Sequence, residues 1–153
     1  MKSQTNPGDL GCTCYRLRQS ARLTTRLYDR HLAPSGLNIG QFGILATLAA
    51  MHGQTISNLA AVLQLDRTTL TRNLLPLQKL GLVEVEPGPD KRARSLSLTQ
   101  PGREALAQAK PLWQAAQQAL EQQLGKPESR HLNQTLDRTL SRLALQEGPQ
   151  HHA

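Results

Sequence analysis

The stretch from Asp66 to Thr99, DRTTLTRNLLPLQKLGLVEVEPGPDKRARSLSLT, constrains the fold of this chain more than any other. It reads as a capped helix followed by two short strands around a basic turn. Asp66 suits an N-cap, because its carboxylate accepts hydrogen bonds from free N–H groups at the helix start. Leu70, Leu74 and Leu77 recur at helical spacing and predict a buried face. Arg67, Thr68, Thr71 and Arg72 fall on the other side, where all four side chains can donate hydrogen bonds. Gly81 stands where a helix ends in a left-handed residue. A helix that buries leucine and presents arginine and threonine has the chemistry to read a DNA major groove. The turn beyond, with Lys91, Arg92 and Arg94, is placed to reach backbone or minor groove. The whole is the pattern of a winged helix-turn-helix.

The totals agree with an anionic partner. The net charge is +7, and thirteen of the eighteen basic residues are arginine, which suits bidentate phosphate and guanine contacts better than lysine. Nucleic acid is the first candidate and an anionic membrane surface the second. A membrane role would need a basic amphipathic helix with large exposed apolar residues. Residues 9–32 fit this only in part, because their apolar stripe is narrow. No apolar run approaches the ~18 residues of a membrane span, and the N-terminus lacks a secretory core. Two cysteines are too few for a disulfide framework. The expectation is a cytoplasmic, bacterial-type protein of one domain with arms.

Taken in order, residues 1–8 are expected to be a flexible arm. A long helix follows from Asp9 or Thr13 to Leu32. Leu10, Cys14, Leu17, Ala21, Thr24, Tyr28 and His31 form a narrow seam on it. Arg16, Arg18, Arg22, Arg26 and Arg30 occupy its other faces, either solvated or at DNA phosphates. Ala33 to Gly36 break it. Asn38 caps a second helix with Ile39, Phe42, Leu45, Ala46, Leu48 and Ala49 inward. Thr55-Ile56 is a minimal strand and Ser57 caps a third helix, the first of the helix-turn-helix pair. Pro76 should kink the end of the second, at 67–80. Val83–Glu86 and Ser95–Thr99 alternate as a β-hairpin. A helix beginning near Pro101 runs towards Leu124, with Pro111 bending or dividing it. Leu132, Leu136, Leu140 and Leu143 stripe a last one. Residues 147–153 read as a flexible tail.

The predicted fold is therefore mostly α with a small β-hairpin wing. A winged helix-turn-helix over residues 35–100 is flanked by helical arms, 9–34 and 101–146. Seams that a small domain cannot cover itself point to a two-fold homodimer through these arms. Two readers would then face one palindrome with half-sites roughly one helical turn, ~34 Å, apart.

These residues resemble a known family. GLNIGQFGILATL and TISNLAAVLQLDRTTLTRNLLPLQKLGLVEVEPGPDKRARSLSLTQPGREAL are similar to the MarR-type transcription regulators. They include a D-x-R wing element at Asp90-Lys91-Arg92 and an xLSLTxxG segment at Leu96 to Gly102. The resemblance covers about residues 10 to 145. It implies a homodimeric repressor or activator on palindromic double-stranded DNA, often released by a small aromatic effector or by oxidation. It also implies that Asp90 braces the wing through Arg92, that Arg92 enters the minor groove, and that Arg94 meets the phosphate backbone. Arg67, Thr68, Thr69, Thr71, Arg72 and Asn73 would make the major-groove contacts.

Other residues raise the question of a sensed signal. Cys12 and Cys14, near a helix N-terminus and close to Arg16 and Arg18, are the most reactive-looking residues outside the DNA-reader. They admit oxidant sensing, binding of a soft metal such as copper, or a packing role for Cys14. Joint chelation needs a non-helical Cys12 or a second chain, because thiols two apart on a helix point nearly opposite ways. Tyr28, Phe42 and Trp113 are candidates for a ligand pocket, or plain core. No metal site or cofactor is expected. No nucleophile–base pair, carboxylate dyad or phosphate loop stands out, so an enzyme is not expected. The rival reading is a non-specific architectural nucleic-acid binder.

Overall fold

The computed structural model describes residues 11–88 and 94–146. The expected flexible arm 1–8 and tail 147–153, and the wing residues Asp90, Lys91 and Arg92, lie outside the described residues. The chain divides into two compact units, up to Ala116 and from Gln117.

In the first unit, α1 (Thr13–Leu32) is followed by a 3₁₀ turn (Ala33–Ser35) that ends at Gly36 with φ +74°. Next come α2 (Ile39–Ala50), β1 (Gln54–Thr55), α3 (Ile56–Val62) and α4 (Arg67–Lys79). The strands β2 (Val83–Pro87) and β3 (Arg94–Leu98) precede α5 (Gln100–Leu124). The sheet is three-stranded and antiparallel in the order β1-β3-β2. Gln54 pairs with Leu96, and Val85 with Leu96 from the other side. The expected two-residue strand is thus present one residue earlier, at Gln54–Thr55, as an edge to the wing.

The starts of α2 and α3 have local causes. Asn38 and Gln41 form a reciprocal capping box, with Gln41 N–H donating to Asn38 Oδ1 at 2.8 Å and Asn38 N–H to Gln41 Oε1 at 3.1 Å. The Asp29 carboxylate of α1 accepts from the Ile39 N–H at 2.8 Å, tying the end of one helix to the start of the next. Thr55, not Ser57, caps α3 through its hydroxyl. The threonine wins because it ends β1 in extended backbone, while Ser57 already lies inside the helix. In the turn between α3 and α4, Gln64 takes a left-handed φ of +51°, and Leu65 N–H closes on the Ala60 carbonyl at 2.9 Å.

The core is leucine-rich. Leu32, Ile44, Leu45, Leu48, Leu59, Leu70, Leu77 and Leu96 are fully enclosed. α2 contributes Ile44, which its inward pattern omitted, while Ala49 is exposed. α4 rests Leu70, Leu74 and Leu77 on this core; truncating one such leucine costs ~2–5 kcal/mol. Pro76 and Pro111 both sit within continuous helices, so neither divides its helix. The stretch after α4 is locked to α5 by a small-residue contact. Gly102 is buried, and a Cβ built there would overlap the Leu82 carbonyl oxygen and approach Leu98 Cδ1 to 2.8 Å.

The second unit holds the end of α5 and α6 (Lys126–Gln146), joined by Gly125 with φ +85°. The predicted stripe is present on α6, and Leu140 and Leu143 are 58% and 56% exposed. No helix among the described residues is long and apolar enough to cross a membrane.

Candidate nucleic-acid interface

The exposed face of α4 is set by its buried one. With Leu70, Leu74 and Leu77 turned inward, Arg67, Thr68, Thr71 and Arg72 are all exposed on the opposite side. They line one shallow groove of about 410 Å³, together with Leu75. The first turn is fixed by Asp66. Its Oδ1 accepts the Thr69 N–H at 2.8 Å and its Oδ2 accepts the Thr69 hydroxyl at 2.7 Å. These bonds stabilise the charged form and hold the Asp66 carboxyl below its ordinary pKa of 3.8; the Thr69 hydroxyl is the main cause and the Thr69 amide the second.

The sequence-derived set therefore separates. Arg67, Thr68, Thr71 and Arg72 are brought together. Thr69 is half-buried, with its hydroxyl engaged by the cap. Asn73 is also half-buried; its side-chain amide donates to the Thr69 carbonyl at 3.0 Å, and its Oδ1 lies beside Gly40 at the start of α2. Its side chain faces the protein, away from the groove. Leu75 was missed by the hydrogen-bond reasoning, although its spacing of four from Thr71 and three from Arg72 places it on the same face.

The wing is anchored at its base. In β2 and β3, Val83, Leu96 and Leu98 are buried while Glu84 and Glu86 face out. Arg94 is exposed and pairs across the sheet with Pro87, the last ladder position before the segment carrying Asp90 and Arg92. The other end is a hydrogen-bonded clasp. Thr99 donates its hydroxyl to the Gly81 carbonyl at 2.6 Å and accepts the Gly102 N–H at 3.0 Å. Arg103 donates to the Leu98 carbonyl at 2.8 Å. The clasp joins the end of α4, both strands and the start of α5.

The other candidates sit apart from this face. Phe42 and Trp113 are brought together, stacked with centroids 5.7 Å apart and planes at 14°, so the two rings fill the space between α2 and α5 with each other. Tyr28 is half-buried on α1. Cys12 and Cys14 are exposed free thiols. Cys12 is the extended residue before α1 (φ −66°, ψ 107°), and Cys14 lies in its first turn.

Known proteins share this fold. The sequence profile described as MarR family matches residues 35–93. The chain is 40% identical to the M. tuberculosis transcriptional regulator MosR in a crystal structure with DNA; the match covers 86% of this chain and 98% of that one at a TM-score of 0.73. The chain belongs to the MarR family. The transcriptional repressor CouR, bound to a 23-mer DNA duplex, is similar at 28% identity, over 90% of this chain and 99% of that one, with a TM-score of 0.79. YwoH, an HTH-type transcriptional regulator of Bacillus subtilis, is 31% identical over 85 residues, 56% of this chain and 62% of that protein. The chain spans about three fifths of the length of the curated relatives it matches. MarR-family proteins are transcriptional regulators, and the fold here is theirs, mostly α with a small wing.

Proposed function

We propose that this protein is a sequence-specific DNA-binding regulator, a repressor that binds a palindromic operator as a homodimer. The observation that carries the reading is the groove on α4, where Arg67, Thr68, Thr71 and Arg72 converge on a helix whose opposite face is locked in the core. Two arginines suit guanine edges or phosphates, and two hydroxyls suit either. In this reading Thr69 and Asn73 position the helix, Arg94 meets the phosphate backbone, and Arg92, braced by Asp90, enters the minor groove. The solved DNA complexes of MosR and CouR support DNA as the partner, and CouR's role as a repressor supports the sign. The exposed leucines of α6, with Leu17 and Leu23 of α1, supply apolar surface for a second copy.

Oxidation is the release signal that the residues favour. Cys12 is not helical, so the geometry that separates thiols two apart on a helix does not hold it away from Cys14. A peroxide would take two electrons and two protons from the pair, leaving as water or alcohol with water while the S–S bond forms. The stacked Phe42 and Trp113 give an aromatic effector no room between them.

Selection from a random duplex library by the full chain tests this function. The expected result is a palindromic consensus bound by two copies per duplex, released by peroxide in the wild type and retained when both cysteines are replaced by serine. Equal binding to random duplex at physiological salt would establish an architectural binder instead.

A further inference from the structure

The base-reading face of α4 carries one large apolar side chain to which the core offers nothing. Leu75 is 50% exposed, while Leu70, Leu74 and Leu77 of the same helix are buried. At about 100° per residue, Arg67, Thr71, Leu75, Thr68 and Arg72 succeed one another over an arc of roughly 140°, with Leu75 near its middle. It lines the same groove as those four residues. Side chains lean towards the N-terminus of their helix, so Leu75 covers the turn that holds Thr71 and Arg72. It stands about 12 Å along the axis from Arg67, within the length a helix lays in the major groove.

A single exposed leucine needs no explanation. This one has a particular setting, the centre of an arc whose other members are all hydrogen-bond donors and include two guanidinium groups. The charge selects a polyanion. Among the base edges in the major groove of duplex DNA, the apolar group is the C5-methyl of thymine. We propose that Leu75 is a specificity-determining residue that packs on thymine C5-methyl groups within each half-site. The proposal rests on the reading of α4 as the base-reading helix.

Deoxyuridine differs from thymidine only by that methyl and pairs identically. The test takes the consensus duplex enriched by the wild-type full chain and replaces its thymines one at a time with deoxyuridine. One or two thymines per half-site should show about fourfold weaker binding, the factor for leaving one methyl-sized group unburied. Leu75→Ala should bind the parent duplex more weakly and no longer distinguish thymine from deoxyuridine at those positions. Wild-type indifference to deoxyuridine at every position overturns the proposal while leaving sequence-specific binding in place. So does a Leu75→Ala protein that still discriminates as the wild type does, since another residue would then read the methyl. A wild type that enriches no sequence overturns both this proposal and the reading beneath it. The deoxyuridine scan is made on the wild type, so it does not depend on how the variant folds.

Discussion

Asp66 shows how one side chain serves both the fold and the interface. Its two carboxylate oxygens hold the Thr69 amide and hydroxyl, and that fixes the first turn from which Arg67 and Thr68 project. Because these bonds favour the charged form, the folded pKa lies below the unfolded one. The cap's contribution is therefore complete above the unfolded value near 3.8 and is lost as pH falls through the lower folded value. A pH titration of the Asp66 carboxyl by NMR should give a midpoint below 3.8, with the Thr69 amide resonance following it. In Thr69→Ala the midpoint should move up towards that value, and an unchanged midpoint would show that the hydroxyl is not the main cause. Asp66 and the leucine spacing were legible in the sequence because cap and periodicity are local. Asn73 was not. Its helical phase lies outside the arginine arc, and only the packing of α2 shows that its amide is used inside the protein.

Among the elements, the base of the wing is held by several long-range contacts. α4, β2, β3 and α5 meet where Thr99 bridges the Gly81 carbonyl and the Gly102 amide, and where Gly102 lies against the Leu82 backbone. A backbone oxygen cannot rotate away as a side chain can, so Gly102→Ala must shift α5 from the strands. It should destabilise the domain by ~1–3 kcal/mol, the usual cost of overpacking, measured by chemical denaturation. An unchanged midpoint would mean that α5 moves freely on the wing. The sequence pattern marked this glycine through the family segment, but its reason is a long-range approach that periodicity does not carry. The same limit moved the α3 cap from Ser57 to Thr55. Both residues are good caps, and the choice was made by the pairing of Gln54 and Thr55 with β3. The prolines divide neither helix: α4 and α5 continue through Pro76 and Pro111.

At the scale of the molecule, a net charge of +7 and an exposed arginine face together suit a polyanion as partner. On the proposed function, charge would draw the protein to any duplex with a steep salt dependence, whereas base contacts would distinguish one duplex from another. The two contributions separate by substitution. Arg94→Ala should weaken binding to every sequence about equally and flatten the salt dependence by roughly one counterion per chain. The α4 arginines are expected to act differently, because the core holds them to a face of fixed phase. The most direct test is the affinity of the wild type and of Arg72→Ala for the selected palindrome and for a scrambled duplex, across a salt series. The wild type should prefer the palindrome by about 10³-fold or more, and Arg72→Ala should lose ~1–3 kcal/mol per half-site on the palindrome with far less change on the scrambled duplex. Equal losses on both duplexes, or no preference in the wild type, would contradict the assignment of α4 as the helix that reads sequence.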